Sequence, residues 1–296
     1  MNKVIKVGSR DSQLALAQTQ LVIDTIQKYH KELSFEIVAL KTTGDKILNK
    51  KLEEIGGKGL FVKELHEALF EHRIDFAVHS LKDVPYDLPQ ELPIIAYSKR
   101  EEAQDVLVIA PDAKETFEKG VIGTSSKRRV EQLKELYPEA TFKSIRGNVQ
   151  TRLKKLSSPE YDATVLAYAG IKRLHMEEII DKVFTIEEVL PAAGQAIMAV
   201  QGRTGEDYGY LACVNDPDAA YAAKAERSFV KYLEGGCTSP TAAYAYVEEN
   251  QLTLLGKYYM EKEGRYLSDF ITGEKEQAEI LGCQLAAKLK EQEKQL

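Results

Sequence analysis

The chain has 296 residues, 44% of them hydrophobic and 29% charged, with a formal net charge of −6 and a pI near 5.6. That length is long for one hydrophobic core and predicts two or three domains. The acidic balance argues against a general nucleic-acid binder, and no run of about 18 apolar residues is present to cross a membrane. Three widely spaced cysteines, Cys213, Cys237 and Cys283, do not make a disulfide framework, and no Cys/His spacing suggests a metal site. With no apolar leader ahead of Val4, a cytoplasmic protein is the expectation.

Residues 3–7 alternate into a short strand, followed by the turn Gly8-Ser9-Arg10-Asp11-Ser12 with its capping residues. From Gln13 the apolar positions Leu14, Ala17, Leu21 and Val22 keep helical spacing to about Tyr29. Residues 35–40 read as a strand and 60–72 as a helix entered from Gly56-Gly57-Lys58-Gly59. Residues 74–78 read as a buried strand leading into Ser80-Leu81-Lys82-Asp83. This alternation predicts an α/β domain with a largely parallel sheet. A second α/β unit begins near Asp105, with strands over 106–109, 120–123, 141–145 and 163–166 and helices over 125–137 and after Asn148. Leu190-Pro191-Ala192-Ala193-Gly194-Gln195 reads as a crossover into an apolar strand over 196–200. After Pro217 a helix over 219–233, three strands over 242–247, 252–260 and 265–271, and a helix over 274–296 predict a small α+β domain. No internal repeat is visible.

Five of the eleven arginines, Arg128, Arg129, Arg146, Arg152 and Arg173, fall within one stretch of under fifty residues. Arg128 and Arg129 stand in the first turns of a helix that Thr124, Ser125 or Ser126 could cap, and Arg146-Gly147-Asn148 sits at a strand-to-helix turn. Cationic side chains there oppose the helix dipole, so a bound anion is a reasonable compensation. Arginine forks match carboxylates; for any one of them a solvated surface position is an equal alternative. The same logic applies to Arg10, ahead of the helix that starts near Ser12. Gly56-Gly57-Lys58-Gly59 lacks the spacing of a P-loop, and reads either as a mobile hinge or as an anion loop. Asp83 follows a strand end, where ligand sites of α/β sheets collect, although a carboxylate stabilising the turn before Pro85 is the plainer alternative. Cys237 lies in Leu233-Glu234-Gly235-Gly236-Cys237-Thr238-Ser239-Pro240, whose glycines and proline keep it out of helix and strand interiors. Such a thiol can carry a covalent attachment, while a lone cysteine is more often a small buried hydrophobe.

Four stretches carry a resemblance: Gly56-Gly57-Lys58-Gly59-Leu60-Phe61, His79-Ser80-Leu81-Lys82-Asp83-Val84-Pro85, Gly123-Thr124-Ser125-Ser126-Lys127-Arg128-Arg129, and the Cys237 segment. In this order, over nearly the whole chain, they resemble the hydroxymethylbilane synthase (porphobilinogen deaminase) family of tetrapyrrole synthesis. The resemblance implies an α/β fold: two periplasmic-binding-protein-like α/β domains plus a small α+β C-terminal domain. It divides the chain into 1–98 with 195–215, then 99–194, then 216–296. It implies a transferase that condenses four porphobilinogen molecules head to tail, with release of ammonia, onto a dipyrromethane cofactor held by a thioether to Cys237, and then releases hydroxymethylbilane by hydrolysis.

Carried residue by residue, the resemblance makes Asp83 the catalytic carboxylate. It turns Lys58, Ser80, Lys82, Asp83, Thr124, Ser125, Ser126, Arg128, Arg129, Arg146 and Gly147 toward the cofactor. It turns Arg10, Ser12, Phe61, Arg146, Arg152, Arg173 and Gln195 toward the substrate. The expected partner is porphobilinogen, acting on a monomer with no metal, nucleic acid or membrane. The chain departs from the family pattern at Lys127, where leucine is usual, and at Ala196, where glycine is usual. A solute-binding protein or a regulator's effector-sensing domain would share two α/β lobes. Neither accounts for Cys237 in an added third domain.

Overall fold

The computed structural model describes residues 4–42, 62–234 and 239–296. The Gly-rich stretch with Lys58 and Phe61 lies outside those residues, and so does Cys237. The chain packs as two compact units, Met1–Arg100 with Ile197–Ala220, and Glu101–Ala196 with Tyr221–Leu296.

The first unit is built on strands β1 (Val4–Arg10), β2 (Ser34–Leu40), β3 (Phe76–Ser80), β4 (Ile94–Tyr97) and β10 (Met198–Gln201), in the order β2-β1-β3-β10-β4. Helix α1 (Gln13–Tyr29) starts where the Ser12 hydroxyl accepts a hydrogen bond from the Ala15 N–H at 3.3 Å, meeting one of the free donors of the first turn. Its buried Val22, Ile23 and Ile26 pack with Phe76 and Val78 on one face of the sheet. The intervening Ala77 faces the other way, onto Leu65 and Leu69 of helix α2 (Lys63–Phe70). The two-residue period of β3 thus serves two helix layers at once.

The second unit holds β5 (Asp105–Ile109), β6 (Val121–Gly123), β7 (Thr141–Lys143), β8 (Ala163–Ala167) and β9 (Lys182–Val183), in the order β7-β6-β8-β5-β9. Helices α3 (Lys127–Leu136), α4 (Val149–Lys155) and α5 (Tyr168–Lys172) follow β6, β7 and β8. Leu133 and Tyr137 pack on Leu107, Ile122 and Val165 on one face, while Leu156 and Ile171 pack on Val106, Val108 and Leu166 on the other.

Two five-stranded α/β sheets plus a small C-terminal α+β part is the fold class expected from the sequence. The sheets are largely parallel, as expected, with one exception in each. β1 runs parallel to β2 and β3, but β10 is antiparallel to both β3 and β4. In the second sheet β6 is parallel to β7 and β8, while β5 is antiparallel to β8 and β9. Each sheet therefore carries one reversed strand in its fourth place. That strand arrives by a crossover and not through a strand–helix–strand unit, so local periodicity does not report its direction. The short strands β4 and β9 were not foreseen, and β7 ends two residues before the expected limit. The repeat missing from the sequence exists in the strand order of the two sheets.

The remaining elements of the second unit are α6 (most of Pro217–Tyr232), the antiparallel strands β11 (Ala242–Glu248), β12 (Gln251–Met260) and β13 (Arg265–Glu274), and α7 (Ala278–Lys294). Gly282 on α7 lies against α6, and a Cβ there would run into the Ala225 carbonyl oxygen and sit 2.9 Å from Phe229 N. These are backbone atoms that cannot rotate away. Gly282→Ala is expected to cost about 1–3 kcal/mol by forcing the helices apart. Urea denaturation of the variant measures this, and an unchanged midpoint would refute the close approach.

Candidate functional site

β1 and β3 are parallel, so their carboxyl ends lie on one edge of the first sheet, and the turns after them converge. Arg10 ends β1, and Ser80 ends β3. The Ser80 hydroxyl lies 2.9 Å from the side-chain Nε2 of Gln18, a buried α1 residue absent from the expectations. After Ser80 the chain turns through a 3-10 turn, Leu81–Asp83, in which Leu81 is buried while Lys82 and Asp83 stay partly exposed. Leu81 N–H donates to the Ile197 carbonyl at 3.0 Å, which pins this turn to the start of β10. An Arg10 guanidinium nitrogen stands 3.8 Å from an Asp83 carboxylate oxygen, with 24% and 39% of the two side chains exposed. A pair this exposed contributes little to stability, and both side chains keep part of their surface open to solvent. Arg10, Ser12, Ser80, Lys82 and Asp83 are thus brought to one sheet edge.

The corresponding edge of the second sheet gathers the turns after β6, β7 and β8. Ser126 caps α3 by accepting from Arg129 N–H, and Thr124 Oγ1 accepts from Ser126 N–H at 3.2 Å. The Ser125 hydroxyl lies 2.8 Å from that of Ser144 and donates to the Ile145 carbonyl at 2.7 Å, which joins this turn to the one carrying Arg146. Gly147 has φ 120°, a conformation that favours glycine, and its carbonyl accepts from Arg152 Nε at 2.9 Å. Arg173 follows α5 and donates to the Ala196 carbonyl at 2.6 Å, and burial pushes its guanidinium down to about 10.

Arg128 and Arg129 turn inward. Each donates to a different oxygen of Asp105 at 2.7 Å, and the carboxylate is fully buried. Arg128 also donates to the Leu190 carbonyl and Arg129 to that of Val165, both at 2.7 Å. Gln195 is buried as well, with its amide nitrogen 2.9 Å from Asp105 and 2.7 Å from the Ala103 carbonyl. Burial pulls the Arg128 pKa down while Asp105 holds it up. Two guanidiniums against one carboxylate leave a surplus positive charge in a buried cluster, and Arg129 Nε is buried there with no hydrogen-bond partner among the described residues. Asp105 was not anticipated; its only signal was an acidic residue opening the apolar strand Asp105-Val106-Leu107-Val108-Ile109.

Lys127 is exposed. Ala196, at the position where glycine is usual, has φ 73°. The left-handed conformation costs an alanine about 1–2 kcal/mol. Its methyl packs in a buried cluster with Ala103 and Ala169, which offsets part of that cost.

Residues 5–209 match the family model "Porphobilinogen deaminase, dipyromethane cofactor binding domain", and residues 220–291 match "Porphobilinogen deaminase, C-terminal domain". The chain belongs to the porphobilinogen deaminase family. It is 50% identical over 285 residues to the porphobilinogen deaminase of Acetivibrio thermocellus, covering 96% of this chain and 97% of that one. It is 46% identical over 288 residues to that of Ruminiclostridium josui, covering 97% and 98%. The family's relatives are hydroxymethylbilane synthases, and most of both α/β sheets falls in its dipyrromethane cofactor-binding domain. No helix among the described residues is long and apolar enough to cross a membrane.

Behind the Asp83 turn lie two imidazoles, His79 buried and His66 half-buried. His79 shares the α2 face of β3 with Ala77, and burial pushes its imidazole down to about 3, with His66 and Arg10 adding to the effect. His66 on α2 is lowered too, again by burial. Both imidazoles stay neutral in the folded protein at a pH where an unfolded one, near 6.5, takes up a proton. The His79 contribution is complete above pH 6.5 and is lost as pH falls toward about 3, by up to about 1.4 kcal/mol per pH unit, and His66 acts in the same direction. His79→Leu is expected to flatten the decline of unfolding free energy between pH 6.5 and 4.5. The same slope in variant and parent would contradict a neutral buried His79.

Proposed function

We propose that this chain condenses four porphobilinogen molecules head to tail, releasing ammonia at each addition, and that it frees hydroxymethylbilane by hydrolysis. Family membership over almost the entire length supports the reaction class. The observation that carries the site assignment is the surplus of guanidinium at the carboxyl edge of the second sheet. Every pyrrole of porphobilinogen bears two carboxylates, so a growing chain of rings needs many cationic contacts.

The residues present suit a dipyrromethane. Arg129 keeps a buried donor without a partner among the described residues, and Arg146 stands in the turn after β7, Arg152 on α4 and Arg173 at the end of α5. In this reading Cys237 holds the group through a thioether. Thr124, Ser125, Ser126, Arg146, Gly147 and Lys58 receive its carboxylates in the field of Arg128 and Arg129, with Ser80 and Lys82 beside Asp83. When bound, it supplies a nucleophilic pyrrole carbon. Arg10, Ser12, Phe61, Arg152, Arg173 and Gln195 are assigned to substrate. Arg128, Arg129 and Gln195 would act from inside the Asp105 cluster, so their part is to fix a positive field more than to reach outward.

Asp83 is assigned the central role. Its carboxylate, partly exposed beside Arg10, is suited to accept hydrogen bonds from pyrrole N–H groups and to stabilise the cation left when porphobilinogen loses ammonia. Arg10 stands beside that carboxylate and helps to orient it. The C-terminal sheet with its helices is read as a third domain over 216–296, and the enzyme as a cytoplasmic monomer. Sparse cysteines, with Cys213 and Cys283 free, support a reducing compartment.

Asp83→Asn keeps the side chain's shape and removes its charge. Porphobilinogen consumption and ammonia release are expected to fall by roughly 10²–10⁴-fold with the fold unchanged. Turnover at the parent rate would refute the assignment.

A further inference from the structure

Glu226 lies in the middle of α6 and is fully buried. Its carboxylate accepts from Gly194 N–H at 2.6 Å through one oxygen and from Ala245 N–H at 2.7 Å through the other. Burying a carboxylate is costly unless its lone pairs are met, so a buried one that receives backbone donors from two other elements fixes all three to one another. The elements are specific. α6 ends at Tyr232, five positions before Cys237, and β11 begins at Ala242, five positions after it. Gly194, with φ 75°, belongs to the crossover and directly precedes Gln195, whose amide donates to Asp105, the residue that grips Arg128 and Arg129. Ala243 N–H adds a further bond, to the Pro191 carbonyl of the crossover at 3.1 Å. A continuous buried path therefore runs from both flanks of the Cys237 segment, through Glu226 and the crossover, to the arginine pair.

We infer that Glu226 is a positioning residue for cofactor attachment, holding the helix before Cys237 and the strand after it in register with the Asp105–arginine cluster. The inference rests on Cys237 being the attachment point. A glutamine here has one acceptor and one NH2 group, so it keeps one of the two backbone bonds and sets donor against donor at the other. Glu226→Gln should therefore fold and should loosen the register of the flanks.

The test follows the loading of apo protein with porphobilinogen by intact mass, in three proteins beside the parent. Glu226→Gln is expected to gain the mass of two linked pyrrole units at least ~10-fold more slowly than the parent, as a misplacement on the scale of 1 Å would produce. A second variant, Leu289→Ala on α7, is matched for lowered melting temperature; it is expected to load at the parent rate, which separates positioning from general destabilisation. Cys237→Ser is expected to gain no mass. Parent-like loading of Glu226→Gln, or equal slowing in Leu289→Ala, would overturn the positioning role while leaving the anchor intact. A normally loaded Cys237→Ser would overturn the anchor, and the role of Glu226 with it.

Discussion

Asp105 meets three donors at once, and the second unit is organised around that meeting. Its two oxygens hold the guanidiniums of Arg128 and Arg129 and the amide of Gln195, all out of water. Each cation alone in that interior would be prohibitively costly; together with the carboxylate and the Leu190 and Val165 carbonyls they are tolerated. The arrangement ties β5, the start of α3, β8 and the crossover to one point. It also leaves a charge of one sign over. Arginines in the first turn of a helix work against its dipole, so the cluster is an environment that favours an incoming anion. Stability and ligand chemistry here come from the same atoms.

The repeated strand order gives both units a carboxyl edge where strand-to-helix turns collect. The first edge carries a partly exposed carboxylate beside a guanidinium, and the second carries guanidiniums in excess. One suits a cation that forms during reaction, and the other suits carboxylates that persist throughout it. The small antiparallel sheet with α6 and α7 supplies the two flanks of the Cys237 segment and ties them to the crossover through Glu226.

Local signals made the parallel strands, the Ser12-capped helix and the turns carrying Arg10, Asp83 and Arg146 legible in the sequence, because capping, alternation and glycine placement act over a few residues. The direction of the one reversed strand in each sheet was not legible. β10 pairs with β3 and β4 over more than a hundred positions of chain, and nothing near Met198 records which way it will run. The arginines at 128 and 129 were visible as charge, yet their inward direction depends on Asp105, more than twenty positions away. Glu226 reads locally as one more polar helix residue, and only the approach of Gly194 and Ala245 gives it a purpose. Resemblance supplied the reaction and the cofactor, which periodicity and charge alone left open between a binding protein and an enzyme.

The central claim is that this fold carries its own dipyrromethane on Cys237. Intact mass of the protein purified from a host that makes porphobilinogen, with peptide mapping of the segment around Cys237, measures it directly. The account predicts an added mass of two linked pyrrole units confined to the Cys237 peptide. A chain of unmodified mass, or the same adduct found on Cys213 or Cys283, would contradict it.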